Sequence, residues 1–510
     1  MILLGIIALV LLLYARTIIE AYLYVIDDAV KRDGYLYDVP ESPPAADFFK
    51  TRPSRMYRVF MIGMHCVNVS IIYMLWGWGP ALIFAVHPQC VWGVAWVTGN
   101  YYATAAYFTL IAYFILHTFP NIAGAIVAMP IFAAALNSTV CPITFPFLAS
   151  FVLWPWGLSM FWPLAAFLTG KRFKTGIKIR HSFNENKKLV DCRPTPRRLF
   201  LMVKTVARYT YDSIVPEKIG FFSGVGKNLR DRPEVYKKYH SADKDFWASL
   251  ALVSSVFALC YIVNPVGALW FFVIIALHSQ WNMTGQFYAQ RYLYLPIVGL
   301  CIVAGQLLQP YPILITIVAT YLAIRAHRFI PAWKTIGDLY VNDLRNYPEN
   351  AQVYNNYAQY VLATGGTLSN VAVNEIATNV FRSESMDDKD WACQMNIAAF
   401  FATIGQWEEA YKRTIKSMII LEPLGGIRRP MDCLLIQKAN IEKRLLDKYK
   451  PAGGSALGRP LSHPPVVNGS TTQESGKSHG QRKRDDEEAV PESVGAGVAP
   501  GGKEGAGVSA

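Results

Sequence analysis

Residues 2–28 read ILLGIIALVLLLYARTIIEAYLYVIDD. An apolar run long enough to cross a bilayer, for which about 20 residues suffice, ends in two adjacent carboxylates, Asp27 and Asp28. Arg16 and Glu20 interrupt the run, but four residues apart on a helix they face and neutralise one another. The stretch has the apolar core of a signal peptide without a basic leader or a small-residue cleavage site, so it reads as a retained signal anchor. Asp27 and Asp28 then lie at a membrane surface. A carboxylate there either stops the helix sliding into lipid or acts as a general base toward a hydroxyl acceptor.

The whole chain extends this reading. Of its 510 residues, 53% are hydrophobic and 17% charged, which is too apolar for one soluble globule. The sequence predicts an all-α protein, a polytopic membrane helical bundle over residues 1–330. After the first segment, Ile2–Ile26, apolar stretches recur at 57–76, 101–116, 121–136, 141–154, 156–169, 246–263, 266–281, 293–308 and 311–327. Pro80 and Pro88 make the run before His87 a broken helix, tolerated at membrane depth where protein or a cavity surrounds it. His65 and Asn68, one turn apart in the second span, predict hydrogen bonds to other helices. About eleven spans result. An odd number puts the two ends on opposite sides; with the N-terminus cytoplasmic, the acid pair, a basic loop and the C-terminal domain are external.

The net charge of +13 is concentrated in that loop, residues 171–245, where 19 Lys and Arg face 8 Asp and Glu. Lying between spans, it points to anionic lipid headgroups or a lipid-linked phosphate and not to nucleic acid. Within it, Arg197–Val215 spaces Leu199, Phe200, Val203, Val206 and Ala207 as a helix in the interface plane, with Lys204 and Arg208 at the height of lipid phosphates. The same letters describe a helix that snorkels its charges. His278–Pro296 reads HSQWNMTGQFYAQRYLYLP, with Arg291 among Tyr288, Tyr292 and Tyr294. Such a cation can grip a phosphate by a forked hydrogen bond or snorkel from an interfacial aromatic belt. The eight cysteines form no CxxC pair, no metal-ligand cluster stands out, and neither a metal ion nor a cofactor is expected.

Beyond Pro331 the composition becomes soluble. Residues 331–450 read as tetratricopeptide-like helical repeats: Tyr354, Tyr357, Ala358 and Gly365 in a first unit with an insertion near Thr367–Asn370, and Trp391, Ile397, Ala398, Phe401, Gly405, Ala410 and Pro423 in a second. Residues 430–449 look like a capping helix, and 451–510, rich in Gly, Pro, Ser and mixed charge, read as a disordered tail.

In this order, four stretches resemble the transmembrane and tetratricopeptide-repeat proteins of the GT-C class of polytopic glycosyltransferases. They are Asp27-Asp28, Ala81–Asn100 (ALIFAVHPQCVWGVAWVTGN), Ala289–Leu300 (AQRYLYLPIVGL) and the repeats after Trp333. The resemblance implies inverting transfer of a sugar from a polyprenyl- or dolichyl-phosphate donor to a protein or glycan acceptor on the outer or lumenal face. It implies Asp27 or Asp28 as base, and His87, Arg291, Tyr292 and Tyr294 at the substrate. Lys204 and Arg208 of the basic loop would hold the departing phosphate, and the repeats would present the acceptor. The family pattern carries charged residues where this chain has Trp92, Asn100, Ser138-Thr139 and Gln290. A non-catalytic membrane scaffold with partner-binding repeats is the alternative reading, and a permease or flippase is a third. A bacterial cytoplasmic membrane is the expected location, the endoplasmic reticulum membrane the alternative.

Overall fold

In the computed structural model the described residues are 1–20, 54–96, 99–138, 145–153, 156–157, 159–168, 198–221, 241–279, 288–364, 370–388, 390–422 and 428–449. Every regular element among them is helical. Asp27 and Asp28, most of the basic loop, the inserted residues 367–369 and the tail lie outside the described residues.

Helix α1 (Ile2–Ile19) turns Ile6, Val10, Leu13 and Tyr14 inward. The expected Arg16–Glu20 pair forms, and Glu20 also meets Lys334 Nζ at 3.0 Å. Helix α2 (Ser54–Trp76) ends where the chain turns at Gly77 (φ +92°) into the nine-residue α3 (Trp78–Val86). This is the broken helix, and it sits in the middle of the bundle with its residues from Gly79 to Ala81 and Ile83 to Val86 buried. Two short turns, Pro88–Cys90 and α4 (Val91–Val94), lead to α5 (Asn100–Thr118), α6 (Ile122–Ser138), α7 (Phe145–Ser150) and α8 (Ser159–Leu168). Then come α9 (Arg198–Ile214), α10 (Lys244–Val263), α11 (Pro265–Leu277), α12 (Ile297–Leu308) and α13 (Pro312–Phe329).

Four described helices are long and apolar enough to cross a membrane: α1, α2, α10, and α13 with its extension to Trp333. Helices α6, α8, α11 and α12 are apolar but shorter. Ile262 on α10 and Ile313 on α13 are about four-fifths exposed, the disposition of side chains that face lipid.

A close backbone contact sets α3 against α12. A Cβ on Gly79 would stand 2.7 Å from the Gly305 carbonyl, and one on Gly305 would collide with the backbone nitrogen of Pro80. Small residues allow such close approach where lipid offers no hydrophobic drive for helix association. His65 and Asn68 bond outside their own helix, as their spacing predicts: His65 Nδ1 lies 2.9 Å from the Tyr294 hydroxyl, and Asn68 Nδ2 donates to it at 3.2 Å.

Past the turn Ile330–Trp333, helix α14 (Ile336–Asn346) opens a helical stack of α15 (Ala351–Thr364), α16 (Asn370–Met386), α17 (Trp391–Thr403), α18 (Trp407–Leu421) and α19 (Arg428–Tyr449). Helix α15 packs on α16 and α17 on α18, while α15 and α16 both reach α17. Ala358, Ala398 and Ala410 are wholly buried where these helices close on one another.

Replacing Gly305 by Ala forces α12 off Pro80 and is expected to destabilise the bundle by about 1–3 kcal/mol. Thermal unfolding in detergent, with Gly305→Ala beside a surface glycine control, measures this; an unchanged midpoint rules out the close contact.

Candidate functional site

The segment after α11 returns to the bundle as a 3-10 turn, Gln290–Leu293. Leu293 and the following Tyr294 point into the core, while Arg291 and Tyr292 are half-buried at its edge. The Arg291 guanidinium lies 5.3 Å from the centre of the Tyr292 ring and 5.7 Å from that of Phe221. Tyr292 in turn stacks on His278 (4.3 Å, 9°) and meets the edge of Tyr102 at 5.9 Å. Among the described residues no carboxylate pairs with Arg291. A cation walled by rings has a forked donor geometry that fits an anion.

The other predicted residues are placed differently. Tyr294 is fully buried, its hydroxyl taken by His65 and Asn68, and it belongs to the core and not to an open cavity. His87 is buried with both ring nitrogens engaged: Nδ1 accepts from the Gln89 amide (3.2 Å), so Nε2 donates to the Ser213 carbonyl (3.0 Å). It therefore clasps the broken helix to α9. Lys204 pairs with Asp243 at 2.8 Å, and Arg208 with Asp212 at 3.0 Å while lying over the Tyr288 ring. Both cations expected at lipid phosphates thus meet carboxylates within the fold. The buried face of α9 holds the expected Val206 and Ala207 but adds the polar Thr205, Tyr209, Asp212 and Ser213, and leaves Leu199 half exposed.

That polar inner face joins a network. Asp212 accepts from Arg208, from the Tyr288 hydroxyl (2.5 Å) and from Gln290 Nε2 (3.3 Å), and Gln89 Nε2 donates to its backbone carbonyl (3.2 Å). Burial pushes the Asp212 carboxyl above the usual carboxylate range, against the pull of Arg208 and of the Tyr288 and Gln290 donors. Gln290 also donates to the Lys218 carbonyl (2.7 Å) and accepts from the Gly220 amide (3.1 Å). Residues 216–221 thereby form a strap with no regular structure, whose backbone groups are bonded one after another. Arg325 takes the Pro216 carbonyl, Tyr347 that of Lys218, Asn342 and Asn346 that of Ile219, and Asp343 the Phe221 amide. A side chain at Gly220 would collide with Asp343 and the Tyr347 ring. The strap thus links α9, Arg291's turn and the first helix of the C-terminal stack.

Beside Arg291, the Phe221 ring also packs on Trp92 (5.9 Å) and Trp96 (5.5 Å), which gather with Trp333 and Phe329. Sequence reasoning passes over Asp212, Trp96, Phe221 and Trp333. The Arg208–Asp212 spacing of four residues signals the first, but the others come together only in the fold.

No protein-family model, no curated protein and no solved structure matches this chain.

Lys204, then the Phe246 amide, hold Asp243 down to about 2, below the ordinary value of 3.8. A depressed carboxylate stabilises the fold above its unfolded pKa, and this is lost as pH falls from about 4 through about 2. Asp243→Asn keeps the helix cap and is expected to flatten the drop in melting temperature between pH 4 and pH 2 relative to the parent; equal drops refute the pairing. For the strap, Asn342→Ala with Asn346→Ala removes both side-chain donors to Ile219 and is expected to raise amide hydrogen exchange over residues 216–221 about tenfold or more, with no change in α12. Unaltered exchange means that the strap is held by other groups.

Proposed function

We propose that this chain is an integral-membrane glycosyltransferase that moves a sugar from a polyprenyl- or dolichyl-phosphate donor to an acceptor on the outer or lumenal face. One observation carries the reading: Arg291 is a ring-walled, half-buried cation with no described carboxylate partner. A fixed cation in a dry site is what stabilises charge developing on a leaving phosphate. Asp27 or Asp28 is the proposed base. Tyr292 buttresses the arginine, and His87 acts at one remove by holding the broken helix against α9. No metal ion or cofactor is assigned a part.

In this reading the shorter apolar helices join the four long ones to give about eleven spans. The pairs α15–α16 and α17–α18, closed at buried alanines, are tetratricopeptide-like repeats that receive a protein or glycan acceptor. The strap's bonds to α14 support a coupling between that stack and the donor site.

A scaffold without catalysis is favoured by a specific observation too. Trp92 stands where the family pattern carries an acid, and with Trp96, Trp333 and Phe221 it fills the space next to Arg291. Transfer measured in membranes with a labelled polyprenyl-phosphate sugar separates the two. Asp27→Asn or Asp28→Asn is expected to lower turnover about 10²–10⁴-fold, and Arg291→Ala to lower it with donor binding. Unchanged rates in all three variants remove these residues from catalysis, and no transfer by the parent protein across several donors establishes the scaffold.

A further inference from the structure

A buried tryptophan usually finds an acceptor for its indole N–H, because an unpaired donor away from water costs free energy. Trp270, also fully buried, obeys the rule and donates to the Leu295 carbonyl at 3.0 Å. Trp92, Trp96 and Trp333 do not. Each is at least 97% buried, and among the described residues none of their three Nε1 atoms has a hydrogen-bond partner. These orphans share one cluster: Trp92 meets Trp333 edge-on at 5.1 Å, and Trp96 stacks on Trp333 at 5.9 Å.

Unpaired buried polar groups in a native fold call for an explanation. Flat ring faces with N–H donors at their rims match the chemistry of a hexose, which offers C–H faces to aromatic rings and hydroxyl oxygens to donors. The cluster also has a neighbour of the right kind. Phe221 touches Trp92 and Trp96 on one side and the Arg291 guanidinium on the other. In a prenyl-phosphate sugar, phosphate and ring are likewise joined directly.

We propose that Trp92, Trp96 and Trp333 form the sugar subsite of the donor, closed in this structure by Phe221 on the strap. The inference rests on the lipid-phosphate reading of Arg291 and adds where the sugar goes. Phe221 lies in the stretch 216–221, which has no regular structure and whose backbone is held by Gln290 and by α14, so rotation of its side chain takes the ring out of the cluster without unwinding a helix. The sugar then supplies acceptors to the three indoles.

The test uses the full-length protein in lipid nanodiscs and two probes, a ten-carbon prenyl phosphate carrying a hexose and the same prenyl phosphate without sugar. Trp92→Phe, Trp96→Phe and Trp333→Phe each keep a ring and lose the N–H, and Arg291→Gln loses the phosphate ligand. Each tryptophan variant is expected to bind the hexose lipid about three- to tenfold more weakly, the worth of one hydrogen bond. Binding of the bare prenyl phosphate, which also reports that the variant is folded, stays unchanged. Arg291→Gln weakens both probes. Tryptophan variants that bind the hexose lipid as the parent does overturn the sugar subsite alone, and loss of both probes in all three assigns the cluster to the core and overturns it as well. A parent that binds neither probe, or an Arg291→Gln protein that binds both normally, overturns the phosphate reading and this inference with it.

Discussion

A helix broken inside an apolar bundle leaves backbone groups that lipid cannot satisfy, and the architecture of this protein follows from meeting that demand. At His87-Pro88 the helical ladder stops in buried surroundings. His87 answers with both ring nitrogens, one to its own turn and one to the Ser213 carbonyl, and Gln89 adds a bond to the Asp212 carbonyl. Those bonds require α9 to lie beside the break with a polar face inward. The amphipathic helix is therefore docked by polar side chains that share its buried face with Leu201, Val206 and Ala207.

From that docking the rest of the site follows. Once α9 is fixed, Asp212 gathers Tyr288 and Gln290, which sets the turn that offers Arg291. The chain leaving α9 becomes the strap, and its exposed backbone is bonded by α13 and α14. The C-terminal stack is in this way tied to the membrane half by hydrogen bonds to backbone, a linkage that fixes geometry at a modest net free energy for each bond. Glu20 and Lys334 make a second tie from α1 to the start of that region.

Much of the fold is legible in the letters. Helical class, the apolar segments, the Arg16–Glu20 pair, the inward polar face of α2 and the break at His87-Pro88 all follow from patterns within a few turns, where the residues that decide an element are its sequence neighbours. The site is less legible. His87 and Tyr294 look like ligands because a polar group in an apolar run demands a partner, and the sequence does not say that the partner is backbone or a helix hundreds of positions away. Lys204 looks free for phosphate because Asp243 reaches it only from another helix, whereas the Arg208–Asp212 pair, four residues apart on α9, is legible in the sequence.

The sequence by itself determined that this chain is helical and apolar enough to enter a membrane, since these depend on local composition and period. Only the tertiary structure decided which polar residues serve the fold and which remain for a ligand. Hydrogen-bond satisfaction is a matter of distance in space, and the bonds that matter here, His87 to Ser213, Gln290 to Gly220 and Asn342 to Ile219, join residues 70 or more positions apart. That accounting occupies His87 and leaves Arg291 and three indoles without described partners of the kind their chemistry requires.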